Sequence, residues 1–269
     1  MTRDDIVNDV LRTKKYSNVD KAVVERISVE TLPKYNKQKD VLRAVKKELH
    51  IIYESFLQGG CYSKAEAILN SYESAAHCIT DKDCSVSLMA LHTSTNERLG
   101  QVEEIYDFIS QYVTTSSNVI DIGCGFNPFA LPFFKQLPKE YFAFDISLST
   151  IQVLNMYFKL AGLDYKAAIC DAAIQTPGIS GIPDSNTKVL FMFKLFPILE
   201  RQKKGRAFEI LKSINCEASI VSFPLKSVSG KEKGMETHYS SKFEKDLPTE
   251  YTIKEKAVFE NEMFYVLEK

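Results

Sequence analysis

No charge of either sign predominates in this chain of 269 residues: 34 Lys and Arg face 35 Asp and Glu, for a formal net charge of -1. Any affinity for nucleic acid must therefore come from local basic patches, not from a global field. The six cysteines, Cys61, Cys78, Cys84, Cys124, Cys170 and Cys216, form no Cys-x-x-Cys pair and keep no ligand spacing with the four histidines. Buried free thiols are expected, and no metal site. No apolar stretch is long enough to span a bilayer, and the start, Met1-Thr-Arg-Asp-Asp-Ile-Val, has charges where a signal peptide needs an apolar run. The expectation is a cytoplasmic protein with no membrane partner. Internal repeats and low-complexity segments are also absent, and the 45% hydrophobic content suffices for one large or two small packed domains.

Two regimes are visible. From Asp4 to about Ala90 apolar residues recur at helical spacing: Ile6 and Val10, Val23 and Ile27, then a stripe of Val41, Val45, Leu49, Ile52 and Phe56. Lys39, Arg43, Lys46 and His50 line another face of that third helix, either as a phosphate-contacting face or as a solvated one interrupted by Asp40 and Glu48. From about Leu91 strands alternate with helices. Strands are predicted at 118–123, 141–145, 166–170, 188–193 and 218–223, helices near 96–112, 149–161 and 198–213, and two C-terminal strands near 251–258 and 263–268. The Gly-Pro-Ser-rich stretch 175–187 reads as a long surface loop. The fold class is α/β, a doubly wound sheet with an antiparallel end behind a helical N-terminal domain (residues 1–88, then 89–269). Lys254, Glu255, Lys256, Glu260 and Glu262 make the last strands charged edges, which predicts a monomer.

The first predicted strand ends in Asp121-Ile-Gly-Cys-Gly-Phe-Asn-Pro128 and the second in Asp145. A Gly-x-Gly turn lets a ligand lie against bare backbone, and an acid about twenty residues on can take both hydroxyls of a ribose. A dinucleotide site wants a third glycine, which is missing; Phe126 and Pro128 crowd the diphosphate position, and Asp121 places a negative charge beside it. A cationic, phosphate-free nucleoside suits better. The arrangement resembles motifs I and II of Rossmann-like methyltransferases, whose ligand is S-adenosylmethionine.

Asp171 closes the third strand, where a side chain can meet the adenine amine, and Phe193-Lys194-Leu195-Phe196-Pro197 closes the fourth, where methyl transfer happens in this fold. The Asp/Asn-Pro-Pro-aromatic motif of exocyclic-amine methylation is absent, as is a proline-cysteine nucleophile for C5 of cytosine. N7 of guanine needs neither, because its in-plane lone pair carries no proton to lose. Catalysis is then positional, with no catalytic acid or base expected.

His92-Thr-Ser-Thr-Asn-Glu-Arg98, the glycine turn, Phe193–Pro197 and Ser222-Phe-Pro-Leu-Lys-Ser-Val-Ser-Gly-Lys-Glu-Lys-Gly-Met-Glu236, with Tyr239 and Phe243-Glu244, together resemble the aminoglycoside-resistance 16S rRNA methyltransferases that modify N7 of guanine 1405. The resemblance runs over nearly the whole chain. It implies a helical domain that docks on the 30S subunit, a Rossmann-like domain, S-adenosylmethionine converted to S-adenosylhomocysteine, and resistance to gentamicin- and kanamycin-type drugs. The cofactor contacts it implies are Phe56, His92, Thr93, Ser94, Arg98, Gly123, Asp145, Asp171, Ala172, Phe193 and Gln202. Arg98 would fork on the methionine carboxylate. The sequence departs from the family in a longer Ile-Pro-rich insertion near 178–186 and in Glu54, where a glycine is common.

Candidate RNA contacts are Lys39, Arg43 and Lys46 on the third helix, Arg201 with Lys203, Lys204 and Arg206 after the fourth strand, and Lys226, Lys231, Lys233 and Met235 in the loop after the fifth. Met235 offers a soft apolar surface for a flipped base. A small-molecule or protein methyltransferase, a non-enzymatic RNA-binding factor, and methylation of adenine 1408 at N1 are the competing readings.

Overall fold

The computed structural model describes residues 2–72, 81–178, 187–225 and 235–269, the last segment with side chains from 241 onward. Three helices come first: α1 (Arg3–Leu11), α2 (Lys21–Thr31) and α3 (Gln38–Ile52). A reciprocal cap starts α1, with the Asp5 N–H donating to Thr2 Oγ1 and the Thr2 N–H to the Asp5 carboxylate. Asp20 caps α2 by accepting from the Ala22 N–H. Their apolar positions meet in one core of Ile6, Val10, Val23, Ile27, Val41, Val45 and Leu49, closed by Tyr16 and Tyr53. Each such buried Val, Ile or Leu side chain contributes roughly 1.5–3 kcal/mol.

The α3 stripe ends at Ile52, short of the expected Phe56. Tyr53 leaves helical geometry at φ -140, and Glu54–Phe56 form a 3-10 turn. This lifts Phe56 away from the bundle core. Glu54 receives Lys15 Nζ at 2.5 Å and pairs with His50, so the glycine the resemblance anticipates is here an anchor between α3 and the segment after α1.

Helices α4 (Cys61–Asn70) and α5 (Lys82–Met89) follow. Ala65, Leu69, Cys84, Leu88 and Met89 are buried with Phe126, Phe129 and Tyr157 in the core under the sheet. The expected helical unit 1–88 thus contains two packing neighbourhoods, and the buried members of the bundle core end at Tyr53, with Leu57, Ile146 and Ile198 packed against them.

Among the described residues seven strands form one sheet: β1 (Asn118–Ile122), β2 (Glu140–Asp145), β3 (Lys166–Ile169), β4 (Lys188–Phe193), β5 (Ala218–Pro224), β6 (Thr252–Val258) and β7 (Glu262–Glu268), in the order β3-β2-β1-β4-β5-β7-β6. β1 to β5 are parallel, whereas β7 runs antiparallel to both β5 and β6. This is the doubly wound sheet with an antiparallel end that the sequence predicts. Strand order reverses between β1 and β4, which opens a crevice at their carboxyl ends.

Two predicted helices are broken. The one near 96–112 is α6 (Thr93–Asn96), a 3-10 turn at Leu99–Gln101 and α7 (Val102–Ile109). The one near 198–213 is α9 (Phe196–Gln202) and α10 (Arg206–Ser213), interrupted at Gly205 with φ 83. α8 (Leu148–Leu160) and α11 (Met235–Asp246) are the remaining helices among the described residues. Most of the predicted loop 175–187, including 179–186, lies outside the described residues. At the sheet edge, Lys254, Glu255 and Lys256 are exposed on β6, but Glu262 is not an edge charge: β7 lies inside the sheet and Glu262 is 1% exposed.

Candidate active site at the strand-order reversal

The chain leaves β1 through Gly123 at φ 65 and Gly125 at φ 49, both left-handed positions that favour glycine. The Cys124 N–H donates to the Phe144 carbonyl at 3.0 Å, tying the turn to β2. Space requires glycine here as well. A Cβ on Gly123 would lie 2.8 Å from Leu195 Cδ1, and one on Gly125 would lie 2.9 Å from His92 Cε1. A 3-10 stretch, Asn127–Phe133, follows with Pro128 and Pro132 inside it, so the turn does not run into the N-terminus of an α-helix. The usual device for holding a diphosphate is therefore missing.

Asp145, at the tip of β2, accepts the Gly125 N–H on Oδ2 at 3.0 Å and the Ser147 N–H on Oδ1 at 2.9 Å. Burial raises its pKa, and these backbone donors oppose the rise. With one such bond to each oxygen the carboxylate retains acceptor capacity, which suits a vicinal diol. Asp171 lies beyond β3, 7% exposed, and lines the same cleft. Gly123, Ala172, Phe193 and Gln202 line it too, together with Phe56, His92 and Ser94. Thr93 is not among the lining residues; its hydroxyl reaches the Ser55 carbonyl at 3.4 Å.

His92 is packed between rings, parallel to Phe56 at 6.0 Å and tilted on Phe126 at 5.4 Å, with Nδ1 2.9 Å from Ser94 Oγ. Burial, reinforced by the charges of Arg98 and Lys194, pushes its pKa down to about 3. It is a neutral platform at physiological pH.

Arg98 differs from expectation. Its fork closes on Glu262, with Nε to Oε2 at 2.7 Å and Nη2 to Oε1 at 2.8 Å, while Nη1 donates to Asn127 Oδ1 at 3.0 Å. It is 2% exposed, lies 5.0 Å over the Phe193 ring, and is absent from the cleft lining. Glu262 also accepts from Ser222 Oγ and lies 3.5 Å from Lys194 Nζ. Lys194 does line the cleft; its φ of 55 turns the side chain back toward Glu97, 2.5 Å from Nζ. Asp121 does not reach the ligand position either. It is 1% exposed and holds Tyr141 OH at 2.7 Å and Asn127 Nδ2 at 2.8 Å on one oxygen, Oδ2. Its other oxygen has no hydrogen-bond partner among the described residues, and burial pushes the Asp121 pKa up to about 6.

Among the candidate RNA contacts, Lys39 and Arg43 are exposed and Lys46 half-buried, with Arg43 3.1 Å from Asp40. Arg201 is engaged bidentately by Glu48 of α3, which joins α9 to the bundle. Arg206 is no surface cation: it is 6% exposed and donates to the Ala172 carbonyl at 2.7 Å. Lys226, Lys231 and Lys233 lie outside the described residues, and Met235 opens α11 with its side chain likewise outside them.

Sequence reasoning passed over Arg26 on α2, which reaches Asp171 and Gln202, and misjudged Glu262. Neither has a local signal, since their partners stand 145 and 164 residues away. Among the described residues no group of three or more His, Cys, Asp or Glu could hold a metal ion, and no helix is long and apolar enough to cross a membrane.

Known proteins are similar to this chain along its whole length. The 16S rRNA (guanine(1405)-N(7))-methyltransferase of Serratia marcescens is 31% identical over 269 residues, covering 100% of this chain and 99% of that protein. The enzyme of the same name from Proteus mirabilis is 28% identical, over 99% of this chain and 97% of its own. The crystal structure of the 16S rRNA methyltransferase RmtF in complex with S-adenosyl-L-homocysteine superposes with a TM-score of 0.87 at 28% identity, covering 99% of this chain and 98% of that one. That of the 16S rRNA methylase RmtB superposes at 0.80 and 27% identity, covering 100% and 99%. The profile of the family described as ribosomal RNA methyltransferase (FmrO) matches residues 12–266, and the chain belongs to that family.

Proposed function

We propose that this chain transfers a methyl group from S-adenosylmethionine to N7 of guanine 1405 in the 16S rRNA of the 30S subunit, leaving S-adenosylhomocysteine. The observation that carries this reading is the cleft at the strand-order reversal, where two carboxylates and a glycine turn without a phosphate-binding helix face one space. The residues fit a sulfonium nucleoside: Asp145 for the ribose hydroxyls, Asp171 and Gln202 for the adenine, Gly123 for close backbone approach, and Phe56, His92 and Phe193 as apolar walls. When bound, the cofactor supplies the electrophilic methyl. N7 of guanine has no proton to remove, so the work of the chain is to hold donor and acceptor in line and exclude water. His92 suits that division, since it stays uncharged at neutral pH.

The three N-terminal helices, with Lys39, Arg43 and Lys46, and the basic segment with Lys226 and Lys231 leading to Met235 are the proposed docking surfaces for the subunit in the cytoplasm. The expected consequence is resistance to 4,6-disubstituted deoxystreptamine aminoglycosides of the gentamicin and kanamycin type. Primer extension on 30S subunits after reaction with S-adenosylmethionine, borohydride and aniline should give a cut at guanine 1405. Label in the free drug or in protein, or modification at adenine 1408 instead, would overturn the proposal.

A further inference from the structure

Arg26 belongs to α2, in the N-terminal bundle, yet its guanidinium reaches across to the cleft. Nε donates to Asp171 Oδ2 at 2.7 Å, Nη2 to Asp171 Oδ1 at 3.3 Å and to Gln202 Oε1 at 2.9 Å, and Nη1 to Glu30 Oε1 at 3.2 Å. Its side chain is only 11% exposed. Asp171 and Gln202 both line the cleft, and Arg26 does not.

The consequence is a fixed polarity. Oδ1 of Asp171 also accepts the Ala173 N–H at 3.1 Å, whereas among the described residues Oδ2 holds only Arg26 Nε. A carboxylate offers about four acceptor places, so Asp171 keeps one at Oδ2 for a donor on the ligand. Gln202 has its oxygen committed to Arg26, and its Nε2 makes only a long contact of 3.5 Å with the Ile198 carbonyl. The amide cannot flip without setting its NH2 group against the guanidinium. The cleft is left with an acceptor from Asp171 and a donor from Gln202. The Watson–Crick edge of adenine presents the matching pair, an exocyclic N–H donor and the N1 acceptor, whereas that edge of a 6-oxopurine presents the reverse, the O6 acceptor and an N1–H donor.

We propose that Arg26 is a positioning residue that sets the selectivity of the cleft for a 6-aminopurine nucleoside, by aiming Asp171 and locking the amide of Gln202. This rests on the methyltransferase reading above. It assigns to the N-terminal bundle a part in cofactor choice separate from docking on RNA.

Calorimetric titration of the full chain with S-adenosylhomocysteine and with S-inosylhomocysteine, its 6-oxo counterpart, tests this. The wild-type chain should prefer the adenosine ligand by at least about tenfold, as sites built around buried hydrogen bonds do. Arg26→Gln should reduce that ratio by about tenfold, mainly through weaker adenosine binding. Arg26→Lys keeps a charge for Asp171 but cannot hold Gln202 with the same fork, and should give an intermediate ratio. Should the Gln variant fail to fold, the Lys variant still decides. Equal weakening of both ligands, or an unchanged ratio in a folded variant, overturns the proposal. A wild-type chain that binds neither ligand overturns the methyltransferase reading itself, a result distinct from any variant-specific one.

Discussion

Replacing Glu262 by Gln keeps the shape of the side chain and removes its charge from a site where Arg98 is 2% and Glu262 1% exposed. The carboxylate accepts both arms of the Arg98 fork at 2.7 and 2.8 Å and the Ser222 hydroxyl, and lies 3.5 Å from Lys194 Nζ. Gln offers one acceptor oxygen and sets an NH2 donor toward a guanidinium or an ammonium. Breaking a buried pair by removing one partner costs about 3–5 kcal/mol. That is a large share of a typical stability of about 5–15 kcal/mol. At about 2–4 °C per kcal/mol for a chain of this size class, thermal unfolding should shift down by roughly 6–20 °C. Burial pushes Glu262 upward, but Arg98, Lys194 and the hydrogen bonds from Arg98 and Ser222 outweigh it and hold its pKa below 4.5. Its contribution is therefore full above pH 4.5 and is lost only as pH falls through the lowered folded value. The deficit of the Gln variant should accordingly be constant from pH 6 to 8. The double variant Arg98→Met, Glu262→Met, which leaves no orphaned charge, should be less destabilised than Glu262→Gln. A single-variant loss below about 1 kcal/mol, or a double variant worse than the single, would refute the reasoning, because either means the site is wet enough to solvate the orphaned cation.

Gly125→Ala combines a left-handed φ of 49 with a Cβ 2.9 Å from the His92 ring. It should cost about 1–3 kcal/mol in stability and most of the S-adenosylhomocysteine affinity, read by thermal unfolding and calorimetry. Asp121, raised to about 6 against 3.8 for an unperturbed carboxyl, stabilises the fold in its protonated form and costs stability as pH rises through that interval. Asp121→Asn should therefore gain stability relative to the parent between about pH 4 and pH 7, and a pH-independent difference would contradict this. Lys226→Glu or Lys231→Glu should abolish drug resistance while leaving S-adenosylmethionine binding intact; loss of both together would point to a structural role for the loop.

Most strands were legible because they are apolar runs bounded by turn residues, and the predicted bounds differ from the observed ones by no more than one residue at any end. The glycine turn and Asp145 were equally legible, because a tight turn and the acid of the next strand are neighbours both in sequence and in space. Phe56 was misplaced because helical spacing cannot reveal that Tyr53 breaks the helix. Arg98 was expected to face a ligand carboxylate, and the structure gives its fork to a carboxylate of the protein instead. Glu262 looked like a solvent charge for the same reason: nothing in Asn-Glu-Met-Phe says that the strand is interior, and burial follows only from the pairing of β7 with both β5 and β6. Arg26 was one more charge on an amphipathic helix until α2 was packed against α9 and the segment after β3. Contacts across more than a hundred residues carry no periodicity to read.

The position of β7 has a bearing on synthesis. It is the last strand in chain order, yet it fills the slot between β5 and β6. While the polypeptide is being made, β5 has an open edge and Arg98 has no counter-ion until residues 262–268 have emerged and turned back. The sheet beside the cleft is therefore closed by residues that are synthesised long after the glycine turn they support.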